Sequence, residues 1–276
     1  MRGSTIRLLA AKEVRDAFRN RWFIAYGVSV VFLSLALATL VLASAAYGPA
    51  TGFGRTAAGV VNFMLLLVPL MGLTLGALSL AGERERGTLD FWLSQPIDTL
   101  ELYLGKTLGL GLALAAVISA SFGASGLLLG MAGSNRSPLT LLLLTGLTVL
   151  LGWASLAIGL CLSSRASRAT TAISVAVALW LVLVLVSSLG LMGTALVVRL
   201  SPLWLLVSAL INPVECYRIL ALQLLSGSLE ILGPAGLSAQ DTLGIWLVPA
   251  FLGSLLLWSW LSLGLGYLLL RREVLR

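Results

Sequence analysis

Six long stretches contain no Asp, Glu, Lys or Arg at all: 22–46, 56–80, 107–131, 139–162, 169–192 and 243–270. A helix needs roughly 20 mostly apolar residues, at about 1.5 Å of rise each, to cross the hydrocarbon of a bilayer. Every ionisable group of those four types therefore lies at an end of such a stretch or in a connection. With 59% hydrophobic and 11% charged residues, against about 25% charged in soluble domains, the chain cannot hide its apolar surface in one water-bounded core. The expected fold class is an all-α polytopic membrane protein with six transmembrane helices.

The 18 Lys and Arg residues give the orientation. With the N-terminus inside, 14 fall on the cytoplasmic side and four outside, namely Arg55, Arg136, Arg199 and Arg218. This one-sided excess places both termini in the cytoplasm, and it explains the net charge of +7 without a nucleic-acid partner. The first apolar stretch is too long for a signal-peptide core, so no cleavage is expected. Residues 1–21 read as an interfacial helix. At 100° per residue Ile6, Ala10, Val14, Ala17 and Phe18 share one arc, and Lys12, Arg15 and Arg19 another.

On the outer side, residues 193–242 are expected to form a short helical segment before the last span. Residues 202–211 are apolar but too short to cross. Asn212, Pro213 and Glu215 then supply an N-cap, a first-position proline and a carboxylate in the first turn of a helix over 213–226. Gly227 and the Gly-Pro pair at 233–234 should stop it. Glu215, Tyr217 and Arg218 are the candidates for contact with a periplasmic partner.

Several functions are disfavoured. Ion-coupled carriers place ionisable groups near the bilayer midplane, and the six stretches have none. The chain has no histidine, which removes the commonest metal ligand, and no metal site or catalytic residue is proposed. Cys161 and Cys216 fall on opposite sides, so no disulfide is expected between them. Met64 and Met71 share a face of the second span and with Cys161 could serve as soft Cu(I) ligands, but filling gaps between helices is their ordinary role. Gly105-Lys106-Thr107 resembles the end of a phosphate-binding loop, but the required upstream glycine is Leu100. Gly72 and Gly76, Gly105 and Gly109, and Gly126 and Gly130 allow close helix approach.

The connection 81–106 carries the strongest functional signal. Thr88 can cap a short helix containing Leu89, Phe91, Trp92 and Leu93, which Pro96 ends. Large apolar side chains on a charged connection either dip into headgroups or dock on a partner. The order Glu83-x-Glu85-x-Gly87-Thr88-Leu89, then Pro96, then Leu104-Gly105-Lys106 resembles the signature loop of ABC-2 type permeases. In that family the loop is the coupling helix that receives motion from the ATPase. The resemblance covers residues 1–276 as one transmembrane domain. It implies that Gly87, Thr88, Leu89, Phe91 and Trp92 dock on the ATPase while Glu83, Glu85 and Asp90 orient the element.

Within the family, the Glu83–Pro96 wording, the segment 212–218 and the total length are similar to the permease serving nitrous oxide reductase maturation. That likeness implies two copies each of the permease and of a cytoplasmic ABC ATPase, in the bacterial inner membrane. ATP and magnesium would bind on the ATPase, with no cofactor on this chain, and a periplasmic accessory protein would join the assembly. The cargo it implies is a copper or sulfur species, or force alone. An exporter of lipid or another hydrophobic substrate and a non-transporting membrane scaffold are the alternatives.

Overall fold

The computed structural model describes residues 3–45, 52–131, 138–196, 202–226, 240 and 242–274. In chain order the helices are α1 (Gly3–Arg19), α2 (Arg21–Ala45), α3 (Gly52–Glu85), α4 (Thr88–Leu93), α5 (Thr99–Met131), α6 (Pro138–Arg165), α7 (Ala169–Leu196), α8 (Pro202–Ile211) and α9 (Pro213–Ser226). A 3-10 turn, Gly244–Trp246, leads into α10 (Leu247–Val274). Five of them, α2, α3, α5, α6 and α10, are long and apolar enough to cross a membrane. The fifth expected span coincides with α7, whose segment Ala169–Leu185 is a shorter apolar helix.

α3 is the central element and packs most extensively on α6. The contact is made by small residues. A Cβ at Gly72 would stand 2.7 Å from the carbonyl oxygen of Gly152, and one at Gly76 would stand 2.5 Å from that of Leu156. Without a hydrophobic drive between helices in lipid, such close backbone approach supplies the dispersion contact that holds them. Ser163 of α6 reinforces the pair: its hydroxyl accepts from the N–H groups of Leu80 and Ala81 and donates to the carbonyl of Ala77 at 2.7 Å. The Gly105–Gly109 pair has a different use, because added Cβ atoms there would meet Leu9, Ala10 and Glu13 of α1. Gly126 faces Leu141, while Gly130 has open space around it.

One expectation is corrected. The connection 81–106 is largely helical: α3 continues to Glu85 and α5 begins at Thr99, so Glu83, Glu101 and Lys106 stand on helices continuous with spans. The N-terminal helix turns part of its apolar arc toward protein: Ala10 and Ala17 are buried, while Phe18 stays 46% exposed. Leu9, Ala10 and Ala17 are buried together with Glu13, in packing against α5.

At the opposite end α9 packs among α3, α6 and α10. Asn212 caps it as expected: its side-chain oxygen accepts from the Val214 N–H at 3.0 Å and its amide donates to the Leu183 carbonyl at 2.8 Å. The expected helix stops at 227 and 233–234, and Arg136 and Arg199, lie outside the described residues.

Candidate functional site: the charged end of the bundle

Three consecutive residues at the end of α3 reach three different parts of the protein. Glu83 points toward α1 and α5, with one carboxylate oxygen 2.7 Å from Lys106 Nζ and 3.2 Å from Lys12 Nζ. Arg84 turns toward the last turn of α6, donating to the carbonyls of Ser163, Ser164 and Ala166, and it pairs with Glu273 of α10 at 2.6 Å. Those carbonyls are the unpaired negative end of a helix, where a cation is favoured. Glu85 accepts from the N–H of Ala169, the first residue of α7, at 2.9 Å, which is the complementary arrangement at a helix start.

Glu83 belongs to a group of four mutually paired charges, whose half-exposed member Lys12 also lies 3.4 Å from Asp16. Lys106 also lies 2.9 Å from Glu13, and Lys12 lies 3.1 Å from the same carboxylate. Two lysines and two glutamates cancel, so the group can be buried without a net charge. A buried ion pair gains little net stability over apolar packing, yet losing one partner is costly because the other is stranded. The quartet therefore fixes geometry: α1, α3 and α5 meet in one register. Burial alone would lower the Lys12 pKa, but Glu13 and Glu83 outweigh it and raise it to about 12. Burial would raise the Glu13 pKa, but Lys106 and Lys12 hold it below the ordinary carboxylate value.

The quartet supports α4. Gly87, at φ 69°, makes the left-handed turn that ends α3 and starts α4 one residue later. Thr88 does not cap α4 as expected. Gly87 holds that position, and the Thr88 hydroxyl donates back to the Glu83 carbonyl at 3.2 Å. Leu89 is buried and anchors α4 from below. Trp92 is half-buried under Lys12, whose Nζ stands 5.1 Å from the ring centroid, a cation–π contact. Phe91 meets the Trp92 ring edge-on and is 61% exposed, and Asp90, Gln95 and Pro96 are exposed beside it. An exposed phenylalanine on a rigidly held, six-residue helix is an anchor without a pocket of its own.

Of the residues singled out from sequence, Gly87, Thr88, Leu89, Asp90, Phe91, Trp92 and Pro96 thus gather on α4 and its ends. Glu83 and Glu85 hold it in place. Sequence reasoning did not identify Lys12 and Glu13 as partners of Glu83, nor Lys106 as their counterion. The available signal was a buried-side Glu at position 13 of an otherwise apolar arc.

The outer candidates sit differently. Glu215, Tyr217 and Arg218 are 5%, 0% and 9% exposed, packed into the bundle rather than displayed on it. Arg218 pairs with Glu215 at 2.8 Å, and the Tyr217 hydroxyl shares a 3.0 Å hydrogen bond with that of Thr148 on α6. In this arrangement these side chains hold α9 in the bundle, and a partner would reach them only after α9 had moved.

Comparison with known proteins identifies the family. Residues 7–275 match the family described as ABC-2 family transporter protein. The chain is 32% identical to the "Probable ABC transporter permease protein NosY" of Stutzerimonas stutzeri, over 96% of this chain and 98% of that one. It is also 32% identical to the protein of the same name from Pseudomonas aeruginosa, over 96% and 97%. The chain belongs to the ABC-2 transporter family and is a membrane protein of the permease type.

Proposed function

We propose that this ABC-2 family chain is the permease subunit of an ATP-driven transporter, with α4 as the coupling helix that a separate cytoplasmic ATPase engages. The observation that carries the reading is the support of α4. Glu83, Arg84 and Glu85 tie its base to α1 and α5, to α6 and α10, and to α7, so a push on Phe91 reaches most of the bundle. In this reading α7 is the sixth span, both termini are cytoplasmic, and two permeases join two ATPases. ATP and magnesium bind on the ATPase, and this chain is not itself an enzyme.

The likeness to the two NosY permeases extends the proposal to maturation of the copper sites of nitrous oxide reductase, with a periplasmic accessory protein on the outer face. The cargo is then a copper or sulfur species, or mechanical force. A second reading, export of a lipid or other hydrophobic substrate, is favoured by one feature. An open apolar cleft of about 1010 Å³ lies between α5, α6, α9 and α10, lined by residues such as Leu141, Leu150, Leu224 and Leu252.

The test is purification of the tagged chain from its native membrane in mild detergent, with mass spectrometry of what accompanies it. A stoichiometric ABC ATPase is the expected result, and a periplasmic protein beside it favours the maturation role. Stimulation of ATP hydrolysis by added lipid, without need of a periplasmic protein, would favour the exporter. An intact, folded chain without an ATPase would overturn the proposal and leave a membrane scaffold.

A further inference from the structure

Gly72 and Gly76 of α3, and Gly105 and Gly109 of α5, are covered by a neighbouring helix. Gly123 of α5 and Gly146 of α6 are not. A Cβ at either would meet nothing within 4 Å, yet both line the apolar cleft between α5, α6, α9 and α10. Glycine weakens a helix interior, and these two gain no close helix contact in return. What they provide is width in the cleft.

The cleft has the depth of one leaflet. Its α6 wall runs from Pro138 to Leu150, about 18 Å at about 1.5 Å per residue, against about 15 Å for half the hydrocarbon of a bilayer. On α10 it involves Val248 and Leu252, at the end of that helix opposite Glu273 and the charged cluster. Its mouth is continuous with the bilayer-facing surface, because Leu142, Leu143 and Val248 line it and are exposed. One polar group lines the cleft without a partner: the side-chain oxygen of Gln223 is buried and accepts no hydrogen bond among the described residues. α9 begins inside the bundle, where Asn212 donates to Leu183, and the chain then continues to the start of α10. Gln223, near the end of α9, therefore stands on the headgroup side of the cleft.

We propose that this cleft is a binding site for a phospholipid of the leaflet opposite α4, the outer leaflet in the orientation given above. One acyl chain lies along Gly123 and Gly146, and the head donates a hydrogen bond to Gln223. The cleft opens between spanning helices, so acyl chains are what it meets, and left empty it would forfeit dispersion contact along its walls. A buried acceptor is costly to leave unpaired, which selects a head carrying an N–H, as in phosphatidylethanolamine, over phosphatidylcholine, which has none. The lining stops short of the α4 half of α6 and α10, so the site holds a lipid of one leaflet and gives it no path to the other. The proposal needs a bundle that spans a bilayer and stands whether or not α4 is the coupling helix.

The experiment places the full chain in nanodiscs of phosphatidylethanolamine and phosphatidylglycerol with a tracer phosphatidylethanolamine that carries a diazirine midway along one acyl chain. After illumination, labelled peptides are located by mass spectrometry. The expected result is label concentrated on the cleft-lining residues of α5, α6 and α9, with sparse label at Leu127 and Leu268, which are exposed but lie outside the cleft. Equal label at all exposed positions would mean ordinary boundary lipid and would overturn the proposal. The double variant G123L/G146L fills the cleft without meeting protein, and its cleft label should fall to the level at Leu127. Undiminished cleft label in that variant, with an unchanged melting temperature, would also overturn it. Gln223→Leu tests the head independently. In the unmodified chain the phosphatidylethanolamine tracer should label the cleft about five-fold more than a phosphatidylcholine tracer, the worth of one hydrogen bond, and the variant should lose that preference. Equal labelling by the two tracers in the unmodified chain would refute the role of Gln223.

Discussion

Lys106 Nζ on α5 lies 2.7 Å from the Glu83 carboxylate on α3, both side chains more than nine-tenths buried. Lys106→Met would leave Glu83 and Glu13 facing Lys12 alone. Stranding buried charge in this way costs about 3–5 kcal/mol. The expected outcome is a large fall in the detergent melting temperature, with Lys106→Arg losing much less. Equal melting of Lys106→Met and the unmodified protein would show that the quartet does not hold the three helices together.

Gly87 carries the turn between α3 and α4 at φ 69°, with nothing within 4 Å of an added Cβ. Gly87→Ala therefore adds backbone strain and no clash, about 1–2 kcal/mol. α4 should shift while the bundle stays intact. ATPase-coupled activity is expected to fall with little change in melting temperature, and a large loss of both would point to a wider structural role.

Gly76 approaches the α6 backbone so closely that any side chain must part the two helices. Gly76→Val is expected to abolish recovery of monodisperse protein in size-exclusion chromatography. Gly130→Ala, with open space around it, should be silent in the same assay.

Acid should release α1. The Glu13 pKa is lowered from 4.5 in the folded protein by Lys106 and Lys12, against the opposing effect of burial. A lowered carboxylate pKa gives stability that is complete above the unfolded value and is lost as pH falls through the folded one. Lys12 has the opposite sign: its contribution is complete below 10.5 and fades as pH rises through about 12. Hydrogen exchange in Gly3–Arg19 should thus stay slow from neutral pH down to the ordinary glutamate range and speed up below it, after correction for intrinsic rates. In Glu13→Gln the acid transition should disappear.

Tyr217→Phe removes a hydroxyl bonded to Thr148 inside the bundle, at a cost of about 1 kcal/mol. It should lower the melting temperature slightly and leave ATPase binding unchanged. Phe91→Ala should do the reverse. Comparing the two by copurification and thermal melting separates the buried outer residues from the exposed docking residue.

Sequence alone determined the elements whose chemistry is local. Runs without ionisable groups have one cheap environment, a bilayer, and in it the backbone must satisfy its own hydrogen bonds as helix. Asn212-Pro213 announced the start of α9, and the order Glu83 to Trp92 marked the segment that stands out from the bundle. What the tertiary structure decided is what each charge and each small residue faces. Gly105 and Gly109 make room for α1, not for another span. Glu215, Tyr217 and Arg218 turn inward although their composition suits a surface. Glu13 meets a lysine 93 positions away. Such pairings depend on how helices far apart in the chain are laid side by side, and no local spacing encodes that arrangement.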